Sequence, residues 1–216
     1  MSYPSYSDHP PVILTVMPHS STDFVREIDA FFMNVSPIHQ TMDRLVDVFD
    51  ELHIPFAFAG GMAVNFHGHR RTTQDVDIVI CESDLQRFKD AKTGLGWVDK
   101  FEGSKNFRDA VTGTPVDALL SGGYPGDGKP KPIVFPDPSE VELAYGGRRP
   151  YLTLRQIIEM KIASGLTAPQ RPRDFDDVIQ LIRCNRLDEA FADRIQPYVA
   201  EKFRELWSYA QIDDEH

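Results

Sequence analysis

Hydrophobic positions along this chain switch between helical and strand spacing, and the switches outline its elements. Over residues 38–53, Met42, Leu45, Val46, Val48, Phe49 and Leu52 recur at helical intervals and predict an amphipathic helix. Residues 22–34 predict a second. Pro55 ends the longer helix, and Phe56–Ala59 reads as a short buried strand. Gly60-Gly61 breaks that strand, and Met62–Phe66 begins a helix. In Gln74–Cys81, Val76, Ile78 and Ile80 alternate with Asp75, Asp77 and Val79, the period of a half-buried strand. Ser83 is the expected N-cap of a helix to about Thr93, with Leu85 and Phe88 inward. Trp97-Val98 and Lys105–Arg108 are weaker strand candidates, and Pro115–Leu120 is a stronger one. Residues 121–138 are dense in Gly and Pro and form a loop; Val141–Ala144 is a last strand. From Thr153 the pattern is helical to near Tyr209. The expected fold class is α/β (α+β): a short mixed sheet flanked by helices over residues 21–147, then a helical subdomain over 148–216. Gly146-Gly147 and Pro150 mark the junction. Residues 1–20 are expected to be flexible, with Val12–Met17 as their one strand candidate.

The strand at residues 74–81 carries an anomaly. Asp75 and Asp77 leave it on the same side, and like charges so placed repel. A hard divalent cation between them, Mg²⁺ above all, removes the conflict. Asp117 poses the same problem in Pro115-Val-Asp-Ala-Leu-Leu120, where it stands between apolar residues in a strand. If those two strands are neighbours, Asp117 joins Asp75 and Asp77. Gly60-Gly61, between a strand and a helix, allows close backbone approach to an anion.

Gly60-Gly61, a spacer of thirteen residues, and then Asp75-Val-Asp77-Ile together resemble the signature of the DNA polymerase β superfamily of nucleotidyltransferases. Arg71-Thr-Thr73-Gln-Asp75-Val-Asp77 looks like the small members that include AbiEii-type toxins and aminoglycoside nucleotidyltransferases. The resemblance covers about residues 40–185. It implies the nucleotidyltransferase fold. It also implies Mg²⁺ (or Mn²⁺) held by Asp75, Asp77 and Asp117, and an NTP such as ATP as substrate. Nucleotidyl transfer to an acceptor hydroxyl would release pyrophosphate. The third acid would ligate metal or deprotonate the acceptor. The resemblance leans to a toxin-like enzyme acting on tRNA or protein, with a cognate antitoxin as a partner. A small-molecule acceptor of the aminoglycoside kind is the alternative, and a non-catalytic nucleotide-binding or antitoxin-like module is a second.

Two further groups belong to the same reading. Thr153 and Gln156 fit a capping box, and Leu154, Ile157, Ile158 and Ile162 form the stripe of the helix that follows. Lys161 falls near the centre of that stripe and must find a carboxylate or phosphate, or snorkel outward. In the resembling toxins such a lysine precedes an acidic helix. Lys161 then looks like a phosphate ligand, and Asp174 like its ion-pair partner or a further acid. Arg71 could clamp phosphate beside Thr73, with Arg70 as the alternative cation.

Composition narrows the partners. The chain has 216 residues, 41% hydrophobic and 26% charged, as in soluble globular proteins. A net charge of −10 argues against a broad nucleic-acid-binding surface but leaves room for a local pocket built from Arg70-Arg71, Arg148-Arg149 or Arg171 and Arg173. No apolar run suits a membrane span, and Cys81 and Cys184 make no disulfide framework, so a cytoplasmic setting is expected.

Overall fold

The computed structural model describes residues 28–33 and 35–212. The proposed strand at Val12–Met17 and most of the helix expected over 22–34 lie outside them; residues 28–32 are helical. The elements that follow are helix α1 (Pro37–Leu52), strand β1 (Phe56–Phe58), helix α2 (Gly60–Phe66) and strand β2 (Val76–Ile80). Next come helix α3 (Glu82–Lys92) and strands β3 (Trp97–Asp99), β4 (Phe107–Asp109) and β5 (Pro115–Leu120). Strands β6 (Leu143–Gly146) and β7 (Arg149–Leu152) precede helices α4 (Leu154–Thr167) and α5 (Arg173–Asn185). A 3-10 turn (Glu189–Arg194) and helix α6 (Pro197–Ala210) are the last of the described elements.

The strands form one seven-stranded mixed sheet in the order β3-β4-β5-β2-β1-β7-β6. β2 lies in the middle, antiparallel to β1 and parallel to β5. Its register sorts the side chains. Phe56 and Phe58 oppose Ile80 and Ile78, while Val116 and Ala118 oppose Val76 and Ile78. Directly opposed residues share a face. That face is apolar and is sealed by Phe49 of α1 and Phe88 of α3, which meet each other and, through Phe88, Trp97 and Phe107. The alternate positions Asp77, Asp117 and Leu119 therefore project from the opposite face. α4 follows directly from β7, and α5 and α6 pack around it.

Several local expectations need correction. The central strand begins at Val76, so Asp75 sits at its entrance. Helix α3 starts at Glu82 with Cys81 at its N-cap, and Ser83 lies inside the first turn. Gly146-Gly147 and Pro150, read as a junction, belong to a β6–β7 hairpin, with Gly147 at φ 66° in its turn. Pro150 is tolerated because its partners lie in the edge strand β6 alone at that register. β7 pairs in parallel with β1, so the sheet runs past residue 147. The capping box forms: the Thr153 side chain accepts the Gln156 N–H, and Gln156 Oε1 accepts the Thr153 N–H at 2.7 Å. Among the described residues no helix is long and apolar enough to cross a membrane.

Candidate active site

Asp77 and Asp117 are register partners on the parallel strands β2 and β5, which places them side by side on one face. Asp75 enters the same strand two residues earlier, and its Oδ1 accepts a hydrogen bond from Thr73 Oγ1 at 2.9 Å. The Asp77 carbonyl accepts the Ala59 N–H at 2.9 Å, but the carboxylates of Asp77 and Asp117 receive no hydrogen bond and no ion pair from the described residues. Burial first, then the charges of Asp75 and Asp117, raise the Asp77 carboxyl from 3.8 to about 7, against the opposing pull of Lys161 and Arg171.

Gly60 explains how Asp77 fits. Its φ of 52° is left-handed, and a Cβ there would overlap the Asp77 carboxylate. A Cβ on Gly61 would stand 2.9 Å from Thr73 Cβ and Oγ1. The glycine pair thus lets β2 and the segment before it close against the start of α2.

Asp77 lines a cleft with Gly60, Leu119, Phe135, Ile157, Met160, Lys161, Ser164, Arg171 and Asp174. β5 supplies one apolar wall and α4 the other. The loop after β5 closes the side, where Gly126 (φ 78°) lies so near α4 that a Cβ would meet Ser164 O at 2.9 Å. Lys131 fixes this loop by donating to Asp127 Oδ1 at 2.7 Å and to Thr167 Oγ1 at 3.1 Å.

The cations expected to hold phosphate are otherwise engaged. Lys161 does point inward, and its Nζ lies 2.7 Å from both Asp174 Oδ1 and Asp177 Oδ2. Arg71 donates through Nε to Asp177 Oδ1 at 2.6 Å and through Nη2 to Asp177 Oδ2 at 2.9 Å. Burial alone would raise the Asp177 carboxyl, but the hydrogen bonds and charges of Arg71 and Lys161 outweigh it and hold the group below the usual carboxylate range. Asn65 secures the Arg71 backbone from both sides, accepting its N–H at 2.7 Å and donating to its carbonyl at 2.8 Å. Arg70 is exposed and lines a separate recess with Met62, Phe66, Arg149 and Tyr151.

Three participants were missed from sequence. Asp177 had a legible signal: it lies three residues after Asp174, on the same helical face. Asn65 and Ser164 had none, since nothing local reveals what each meets. Arg171 was legible only as part of one of several arginine clusters. Among the described residues Ser164 Oγ and Asp174 Oδ2 are buried without a hydrogen-bond partner, and both residues line the cleft. Such atoms are costly unless a ligand or solvent meets them.

Among the described residues, no three acidic, histidine or cysteine side chains stand close enough to make a finished metal cage. The donor set nonetheless suits a hard divalent ion. It offers carboxylate oxygens from Asp77 and Asp117, paired in register on one sheet face and without a side-chain donor, and burial with the neighbouring charges of Asp75 and Asp117 raises the Asp77 carboxyl.

No protein-family model matches the chain, and no curated protein matches it in sequence. Among solved structures it is similar to that of ANT(2″)-Ia in complex with adenylyl-2″-tobramycin, which covers 80% of this chain and 98% of its own at 11% identity and a TM-score of 0.48.

Proposed function

We propose that this protein is a nucleotidyltransferase that moves a nucleoside monophosphate from an NTP to an acceptor hydroxyl. The observation that supports it most directly is the pairing of Asp77 with Asp117 on one sheet face, beside Asp75 and above a cleft lined by Lys161 and Arg171. Asp75, Asp77 and Asp117 would hold Mg²⁺. Bound there, the ion supplies charge neutralisation for the triphosphate and for the leaving group. The acceptor oxygen forms a bond to the α-phosphorus, the bond from that phosphorus to pyrophosphate breaks, and Asp117 takes the hydroxyl proton. Gly60-Gly61 lets the triphosphate approach the backbone, and the Lys161–Asp174–Asp177–Arg71 network holds the wall of the cleft in place. Ser164 Oγ and Asp174 Oδ2 offer hydrogen bonds to sugar or acceptor hydroxyls.

For the acceptor, the motif resemblance favours tRNA or protein and a toxin-like role opposed by an antitoxin. Charge favours a second reading. Asp75, Asp77, Asp117, Asp174 and Asp177 outnumber Lys161, Arg71 and Arg171 at the site, and the net charge of −10 disfavours polyanions, so a small cationic acceptor suits the cleft better.

The test is incubation with radiolabelled NTPs and Mg²⁺ in the presence of total tRNA, lysate protein or an aminosugar panel. Label transfer that Asp77→Asn and Asp117→Asn each abolish is the expected result. Transfer that persists in both folded variants ends the proposal, and the labelled fraction identifies the acceptor class.

A further inference from the structure

The inward cations of the site are already committed. Arg71 spends two donors of its fork on Asp177, and its Nη1 is directed to Thr72 O at 3.3 Å. Lys161 sits between Asp174 and Asp177. Moving either onto a phosphate would take one of its two counter-charges from Asp177, which is fully buried. Arg171 is different. It lines the same cleft as Asp77 and Lys161, it is exposed, and its side chain has no ion pair or hydrogen bond among the described residues. Its backbone is nevertheless fixed. The Arg171 N–H donates to Ala168 O at 2.8 Å, and its carbonyl accepts the Asp174 N–H at 3.1 Å, with Pro172 restricting the next step. The side chain is thus a free fork on a fixed turn between α4 and α5.

We propose that Arg171 is the ligand of the β- and γ-phosphates of the bound NTP, the part that leaves as pyrophosphate. The proposal rests on the nucleotidyl-transfer reading. With the α-phosphorus at the Asp77 and Asp117 carboxylates, the triphosphate tail extends across the cleft to the α4–α5 turn. A guanidinium there meets non-bridging oxygens in a two-point geometry that a lysine cannot copy.

The experiment is calorimetric titration of the full chain with each NTP and its monophosphate in Mg²⁺, for wild type, Arg171→Gln, Arg171→Lys and a charge control, Lys105→Gln. Arg171→Gln should weaken triphosphate binding by about 10- to 100-fold and leave monophosphate binding unchanged. Arg171→Lys should recover part of the loss, Lys105→Gln should match wild type, and inhibition by inorganic pyrophosphate should weaken in step with triphosphate binding. Wild-type binding that Arg171→Gln leaves intact, or an equal loss for mono- and triphosphate, overturns the role of Arg171 alone. A wild type that binds no NTP removes the nucleotidyl-transfer reading and this one with it.

Discussion

Asp177 grips Arg71 through both carboxylate oxygens, at 2.6 and 2.9 Å, across 106 positions of sequence. The same carboxylate takes Lys161 from α4 at 2.7 Å. One buried acid on α5 therefore ties the segment before β2 to the wall of the cleft. Asp177→Ala should strand Arg71, leave Lys161 with Asp174 alone, and cost on the order of 3–5 kcal/mol, read as a fall in urea midpoint at unchanged slope. A change below 1 kcal/mol would mean that the network contributes little to the fold.

Gly60 makes a second prediction. Gly60→Ala combines a left-handed φ of 52° with overlap on Asp77. It should destabilise the protein by at least about 2 kcal/mol and abolish label transfer together with Asp77→Asn. Gly113→Ala is a useful comparison. Its φ is 76°, but nothing lies within 4 Å of the added methyl, so it isolates backbone strain from the clash. Equal losses in the two variants would remove the clash with Asp77 as the reason for glycine at 60.

Thr73 orients Asp75 through the 2.9 Å hydrogen bond from Oγ1. Partners that orient a ligating carboxylate typically matter about tenfold or more in metal affinity. Thr73→Val should accordingly raise the Mg²⁺ concentration needed for half-maximal thermal stabilisation about tenfold, with little change in the metal-free melting temperature. Identical Mg²⁺ titrations for both proteins would detach Thr73 from the proposed metal site.

His39 gives the fold a pH dependence. It is buried on α1, its Nδ1 is hydrogen-bonded to Ser36 Oγ at 2.8 Å, and its ring meets Phe31 edge-on. Burial first, then the charge of Arg149, lower it from 6.5 to about 4, with Asp43 opposing. The unfolded chain thus binds the proton first as pH falls. Stability contributed by the neutral ring is complete above about pH 6.5 and is lost between there and pH 4, by up to about 3 kcal/mol. Unfolding free energies between pH 7 and 4.5 should show this slope, and His39→Gln should flatten it. An unchanged slope in the variant assigns the pH dependence elsewhere.

The pattern of the chain carried the sheet face well, because alternation is local. Val76, Ile78 and Ile80 against Asp75 and Asp77, and Val116 and Ala118 against Asp117, announce which side each acid takes. Lys161 was legible as inward from its helical stripe. Its partners were only half legible, since Asp174 has a family precedent and Asp177 lies one turn further on. The Arg71–Asp177 pair was invisible because nothing near Arg71 indicates an acid so distant in sequence. Strand β7 was missed because Arg149-Pro-Tyr-Leu152 is short, holds a proline and has no alternation, and its strand character comes from pairing with β1 and β6. Ser83 misled for a simpler reason: a good capping residue stood two positions inside a helix that begins without a side-chain cap.

The parallel pairing of β7 with β1 bears on how the polypeptide can be shortened. A fragment ending at residue 147 would uncover the β1 edge at Phe58, whose register partner is Tyr151, and offer its unpaired amides to another copy. It would also lack Lys161 and Asp177, leaving Arg71 with no counter-ion. Trimming from the carboxyl end to residue 147 is therefore expected to yield insoluble protein rather than a smaller folded unit.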